Sequence, residues 1–134
     1  IITNPDEISD VPRDAHLVVA AGYRPGASTD LRAVQIAVHC GATKLMNLSN
    51  IDYVYTEDPR RNPDATKIES ITWMDFLKLI PTEWNPGLSS PFDPVAARTA
   101  MGHRIEVTIV NGAKIDEIEK YLSGQPFIGT KIHP

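Results

Sequence analysis

Two loops rich in glycine and polar residues contain the side chains that could do chemistry. The first, GYRPGASTD, spans residues 22–30, and the second, NLSNIDYVYTEDP, spans residues 47–59. Each follows a short apolar run that is typical of a buried strand, Leu17–Ala21 and Leu45–Leu48. Because one helix-length segment separates these runs, we predict neighbouring parallel strands with both loops at their carboxyl ends. Open α/β sheets bind ligands at that edge.

The first loop favours an anionic ligand. Its glycine- and proline-rich turn, residues 22–26, lets the backbone approach a bound molecule closely. Ser28, Thr29 and Asp30 follow where a helix is predicted to begin, and the free amides of a helix start attract phosphate. The alternative is purely structural. In that case Ser28 or Thr29 is only an N-cap, and Asp30 is only a favourable charge in the first turn.

The second loop has the residue types of a nucleoside contact. Ser49, Asn50 and Asp52 come at the predicted strand end, followed by Tyr55 and Asp58. The tyrosine ring could stack on a base, and the Asp58 carboxylate could accept hydrogen bonds from a ribose or an adenine amine. The structural alternative is a hairpin-like turn with a packed tyrosine.

Composition predicts one ordinary globular domain over residues 1–134. The net charge of −4 argues against nucleic acid as a partner, because binding to phosphate backbones needs a basic surface. The single cysteine, Cys40, excludes an internal disulfide, and its place on a predicted helix favours a buried side chain. The four histidines lack the spacing of a metal site, so none is predicted. There is neither a signal-peptide pattern nor an apolar run near the roughly 20 residues of a membrane span, so we expect a cytoplasmic protein without membrane contact.

Periodicity and turn residues predict the elements that position the loops. Apolar residues at helical spacing predict helices that begin near Asp30, Thr72, Asp93 and Lys114. Apolar and β-branched runs predict strands at residues 17–21, 44–49, 105–110 and 127–132. The turn-rich residues 57–66 should form an exposed excursion. Strands that alternate with helices indicate an α/β fold, a three-layer sandwich whose mainly parallel sheet has helices on its faces.

Six motifs, in order, resemble the uridylate kinases of the amino-acid-kinase family, and most of all their archaeal-type members. The resemblance covers about residues 13–134. The motifs are PGASTD at 25–30, SNIDYVYTEDP at 49–59, NPDATKI at 62–68, SSPFDPVAAR at 89–98, VTIVNG at 107–112 and IGTKIHP at 128–134.

The resemblance implies the carboxy-terminal half of the amino-acid-kinase (carbamate-kinase-like) fold. It also implies a UMP kinase that moves the γ-phosphoryl of ATP, with Mg²⁺, onto UMP in pyrimidine nucleotide biosynthesis, usually as a hexamer. Asp30 falls on the family's catalytic aspartate. The UMP-binding positions are Gly22, Tyr23, Arg24, Pro25, Gly26, Ala27, Ser28 and Thr29, and the ATP-binding positions are Ser49, Asn50, Tyr55 and Asp58.

The chain departs from the family pattern in two ways. Tyr53 stands where the family has glycine, which is expected to crowd the adenine side or alter the turn. The amino-terminal lysine and glycine motifs that hold the ATP phosphates are absent from these residues. None of the lysines lies within either loop's sequence: Lys44, Lys67, Lys78, Lys114, Lys120 and Lys131. We therefore expect these residues to need an amino-terminal half or a partner chain for catalysis.

Two other functions remain open at this point. One is a kinase of the same family with another acceptor, such as a carbamate, an amino acid or isopentenyl phosphate. The other is a non-catalytic nucleotide- or oxyanion-binding protein of the same fold, with a storage or regulatory role. The PGASTD motif favours uridylate, whereas Tyr53 and the absent amino-terminal motifs favour the non-catalytic alternative.

Overall fold

A mixed four-stranded sheet organises the computed structural model, which describes residues 17–21, 27–83 and 90–134. The helices are α1 (Thr29–His39), α2 (Trp73–Leu79), α3 (Pro94–Gly102) and α4 (Ile115–Leu122). The strands are β1 (Lys44–Ser49), β2 (Val54–Tyr55), β3 (Lys67–Ile68), β4 (Ser70–Thr72), β5 (Glu106–Asn111) and β6 (Thr130–His133).

The four strands of this sheet lie in the order β1-β5-β6-β4. Strands β1 and β5 are parallel, as are β4 and β6, whereas β5 and β6 are antiparallel. Strands β2 and β3 form a separate antiparallel hairpin. The expected α/β fold with a mainly parallel sheet is confirmed, with a direction reversal between β5 and β6 that the sequence pattern did not predict.

Most of the predicted helix starts are confirmed by their caps. Thr72 caps α2 by accepting from the Asp75 amide, and Asp93 caps α3, which has Pro94 at its first turn. The apolar sides of α1, α2 and α3 pack into one core with the inner face of β5, where Val107 and Ile109 are fully buried. Side chains alternate along a strand, so Glu106 points to the other face, beside α4.

Two predictions of burial are wrong. Leu17–Ala21 is exposed, with Leu17 82% accessible, and it contributes only an isolated bridge at Ala20. A continuous apolar run signals a need for burial, but the described residues contain no layer that covers it. Cys40 is also exposed, because α1 ends at His39 and Cys40 is the residue that caps its carboxyl end. Among the described helices, none combines the length and apolarity that crossing a bilayer demands.

Candidate functional site

The Asp30 carboxylate joins three segments of the fold. It lies in the first turn of α1, where Oδ1 accepts a hydrogen bond of 3.1 Å from the Asn47 side-chain amide in β1. Oδ2 accepts from the backbone N–H of Asp93, at the start of α3, also at 3.1 Å. Ser28 is the N-cap of α1, since its hydroxyl accepts from the Leu31 amide. The capping alternative therefore describes Ser28, whereas Asp30 links α1 to β1 and α3.

Partial burial raises the pKa of Asp30. Loss of solvation raises the pKa of this carboxyl, and the neighbouring Asp93 charge raises it further. The hydrogen bonds from the Asp93 amide and the Asn47 side chain act in the opposite direction without cancelling the rise in pKa. Asp93 is itself buried, and its side chain accepts from the amides of Val95 and Ala96 as the N-cap of α3. An Asp30 carboxylate that is poorly solvated gains strongly from any cation brought near it.

The rest of the first loop is only partly described. Ala27 and Ser28 are half-buried and Thr29 is exposed next to Asp30. The remaining predicted UMP-binding residues lie outside the described residues: Gly22, Tyr23, Arg24, Pro25 and Gly26.

The carboxyl ends of β1 and β5 meet beneath the second loop. Ser49 pairs in register with Asn111. The Asn111 side-chain amide donates to Oδ1 of Asp52 at 2.8 Å, and the Lys114 ammonium lies 2.7 Å from Oδ2. The hydrogen bond from Lys114 is the main cause of a lowered pKa at Asp52. Asn50 is exposed beside this cluster.

Lys114 corrects one expectation from the sequence. It is distant from both loops along the chain, yet its ammonium contacts the second loop through Asp52. The parallel pairing of β1 with β5 produces this contact, because it brings the turn after each strand to the same edge of the sheet.

The tyrosines of the second loop belong to a short hairpin. Val54 and Tyr55 form β2 and pair with Ile68 and Lys67 of β3. Tyr55 is half-buried on this hairpin. The Lys67 ammonium lies 4.8 Å from the centre of the Tyr53 ring, a cation–π distance. Tyr53 therefore has a partner within the hairpin.

Asp58 organises the turn that follows. Its Oδ1 accepts from the Arg60 backbone N–H at 2.9 Å, and its carbonyl accepts from the amides of Arg61 and Asn62. The Arg60 backbone hydrogen bond is the main cause of a lowered pKa at Asp58. This side chain is 35% accessible, so it can form the turn and still meet a ligand. The prediction of an exposed, turn-rich excursion at residues 57–66 is confirmed.

Strand β1 connects the contacts of Asp30 with those of Asp52. Its Asn47 side chain donates to Asp30. Its last residue, Ser49, pairs in register with Asn111, which donates to Asp52. Sequence reasoning missed Asn47, Asn111 and Lys114 as site residues and treated Asp93 only as a cap. A polar residue within an otherwise apolar strand was the available signal for Asn47.

Other parts of the molecule offer different chemistry. A cavity of about 470 Å³ opens between β1 and the end of α4, lined in part by Lys44, Glu106, Tyr121 and Lys131, and it contains none of the predicted site residues. Within the described ranges, no group of three or more histidine, cysteine or acidic side chains could hold a metal ion.

Comparisons with known proteins show which family this chain resembles. The family model described as "Amino acid kinase family" matches residues 2–111. The uridylate kinase of Pyrobaculum calidifontis is 35% identical over 119 residues, which is 89% of this chain and 55% of that protein. The uridylate kinase of Methanocella arvoryzae is 35% identical over 117 residues, which is 87% of this chain and 52% of that protein. The chain thus spans just over half the length of these curated relatives.

A solved structure shows the same fold. The uridylate kinase from Archaeoglobus fulgidus superposes with a TM-score of 0.78 at 23% identity, covering 98% of this chain and 59% of that one. The predicted resemblance to archaeal-type members of the family is confirmed by these relatives.

Proposed function

Because this chain belongs to the amino acid kinase family, we propose that it forms the nucleotide-binding part of a UMP kinase, which transfers the γ-phosphoryl of ATP to UMP. The observation that carries the proposal is the Asp30 carboxylate, held where α1, β1 and α3 converge. The uridylate kinases among its relatives support the choice of acceptor.

Phosphoryl transfer demands positioning and charge neutralisation more than a strong base. In this proposal Asp30 orients the cationic groups around the transferring phosphate, and the start of α1 with residues 22–29 holds UMP. Asn47 and the Asp93 amide fix both oxygens of Asp30, so the carboxylate reaches its partners without reorganising.

The second loop is the proposed ATP side. Ser49 and Asn50 lie at the end of β1, and Tyr55 offers a ring for the adenine. The Lys114 ion pair with Asp52 holds the turn between β1 and the hairpin. Asp58 has the exposure to accept a hydrogen bond from the nucleotide while it keeps its own turn.

In this proposal Mg²⁺ binds together with ATP. Mg²⁺ retains several waters and is commonly bound through substrate phosphates together with one or two carboxylates. In this proposal the ATP phosphates would hold the ion, and Asp30, whose pKa is raised mainly by burial, would supply a carboxylate beside it.

The localisation, the pathway and the oligomeric state are proposed by analogy with the relatives. We propose a cytoplasmic enzyme of pyrimidine nucleotide biosynthesis that acts as an oligomer. The chain spans 52–55% of the two curated relatives described above, so the complete activity is proposed to need the remaining part of the fold, on the same polypeptide or on a partner.

The test is a nucleotide-binding screen followed by a coupled ADP-release assay on the complete protein. We expect ADP formation that depends on both ATP and UMP. Turnover with a carbamate, an amino acid or isopentenyl phosphate, but not UMP, would assign a different acceptor. Binding of ATP or UMP without turnover on any acceptor would favour a storage or regulatory protein.

A further inference from the structure

Thr130 is a buried residue that the proposed mechanism does not use, yet its hydroxyl makes two long-range hydrogen bonds. It is fully buried at the start of β6. Its Oγ1 accepts from the backbone N–H of Val54 at 2.9 Å and donates to the carbonyl of Ile68. A threonine hydroxyl has a single proton to donate, and here it is given to the hairpin.

These two partners face each other across the hairpin. Val54 of β2 and Ile68 of β3 are register partners, so one hydroxyl bridges both strands. The next pair along the hairpin is Tyr55 with Lys67. Thr130 therefore contacts the hairpin one residue from the tyrosine that is proposed to meet the adenine.

The local backbone places Thr130 at this point. A Cβ added to Gly129 would lie 2.7 Å from the carbonyl oxygen of Ile109 and 2.6 Å from the Phe127 ring, so only glycine fits there. This close approach lets β6 start directly against β5, where Thr130 pairs with Ile109. The position of β6 in the main sheet thus places the Thr130 hydroxyl against the hairpin.

A hairpin of two two-residue strands is not stable by itself. The orientation of the hairpin therefore depends on the contacts that anchor it. Val54 is 2% accessible, so the Val54 amide has little access to water. Without the Thr130 hydroxyl, this amide must move to find another acceptor, and Tyr55 moves with it.

We propose that Thr130 is a positioning residue for the donor nucleotide: its hydroxyl sets the orientation of the hairpin that presents Tyr55. The inference rests on the proposed function, because it assigns to Thr130 an effect on ATP rather than on UMP. The Gly-Thr pair at residues 129–130 thereby has a defined role at the ATP side.

The test compares Thr130→Val, which removes the hydroxyl at constant shape, with Thr130→Ser, which keeps it. Thr108→Val is a matched control, since Thr108 is equally buried in the adjoining β5 and its hydroxyl has no partner among the described residues. All variants are made in the complete protein. The readouts are the KM values for ATP and UMP, kcat, the direct Kd for ATP, and amide hydrogen exchange at Val54.

We expect Thr130→Val to raise the KM and Kd for ATP about tenfold, which corresponds to about 1.4 kcal/mol, with kcat and the KM for UMP within about twofold. Val54 exchange should accelerate in the same variant. Thr130→Ser and Thr108→Val should match the parent protein in every readout.

Three results would overturn the inference: an unchanged ATP affinity in Thr130→Val, an equal loss for both nucleotides, or the same defect in Thr130→Ser. A failure of the proposed function is visible separately, in the parent protein. If the parent binds ATP but does not phosphorylate UMP, the Kd series still decides the role of Thr130. If the parent binds no ATP, both proposals fail.

Discussion

At the scale of single residues, some side chains of the site lower the folding stability and others raise it. Asp30 is half-buried beside Asp93, and its pKa is raised above its ordinary value of 3.8. A carboxyl whose pKa is raised by folding contributes stability below its unfolded pKa and loses that contribution as the pH rises through the folded pKa. Ionisation of Asp30 therefore lowers the stability of the fold.

We expect Asp30→Asn to lower kcat by about 10²-fold or more, the scale of one lost electrostatic contact in a transition state. The melting temperature at pH 7 should change little, because asparagine keeps an acceptor for the Asp93 amide, and the loss of the second acceptor towards Asn47 is offset by removal of a poorly solvated charge. The measurement is a coupled ADP-release assay together with thermal unfolding at several pH values, where the variant should lack the decrease in stability that ionisation of Asp30 causes as the pH rises above 3.8.

Thr72→Ala is the matched control. It removes the N-cap of α2, away from the candidate site, and should cost about 1 kcal/mol of unfolding free energy with unchanged kcat. If Asp30→Asn instead lost stability and retained turnover, Asp30 would be a structural residue.

At the scale of elements, the second loop is a hairpin and a turn that are each held by their own bonds. Thr130 anchors the hairpin, and Asp58 closes the turn through the Arg60 amide. The effect of a substitution at Asp58 therefore mixes turn geometry with ligand contact. Two variants can separate these contributions.

Asp58→Ala should raise the KM for ATP while leaving the KM for UMP within about twofold, since a hydrogen bond to a charged group contributes roughly 1.5–3 kcal/mol. Asp58→Asn keeps an oxygen for the Arg60 amide and so preserves the turn. Steady-state kinetics with each nucleotide varied in turn gives the answer. A rise in KM for ATP in both variants assigns the effect to the Asp58 charge, including its ion pair with the Arg60 side chain, and an equal rise for both nucleotides would indicate a damaged fold.

At the scale of the whole molecule, the described structure leaves apolar surface at one side of the sheet. β1 is one of the two edge strands of the four-stranded sheet, and Leu48 in β1 is 57% accessible. Leu17 and Val19 are similarly exposed. An apolar, uncovered edge favours association with another chain.

We predict negligible UMP kinase activity for these 134 residues alone, self-association, and recovery of activity when the remaining part of the fold is supplied. The physical reason is that transfer between two anionic nucleotides needs cations on the donor side. The two lysines described at the second loop, Lys67 and Lys114, are already paired with Glu69 and Asp52. Sedimentation velocity and the coupled assay on the purified chain measure both effects. Robust UDP formation by a homogeneous, monomeric sample would contradict this prediction.

Much of the fold was predictable from local signals. Strand β1 was predicted with its observed bounds, and α2 and α3 begin after the predicted caps Thr72 and Asp93. These features depend on neighbouring residues, because a cap or an apolar period acts within one or two turns. The short strands β2, β3 and β4 were missed, since two or three residues carry no period.

The sequence by itself determined the family, the α/β class and the loops whose motifs suggest nucleotide binding, because these depend on residue types at short spacing. Tertiary structure alone decided what those residues contact. Asp30 meets Asn47 and Asp93, and Lys114 meets Asp52, through strand and helix contacts that join positions 17 to 63 residues apart. It also decided that Leu17–Ala21 is exposed, since a strand is buried only when another layer covers it.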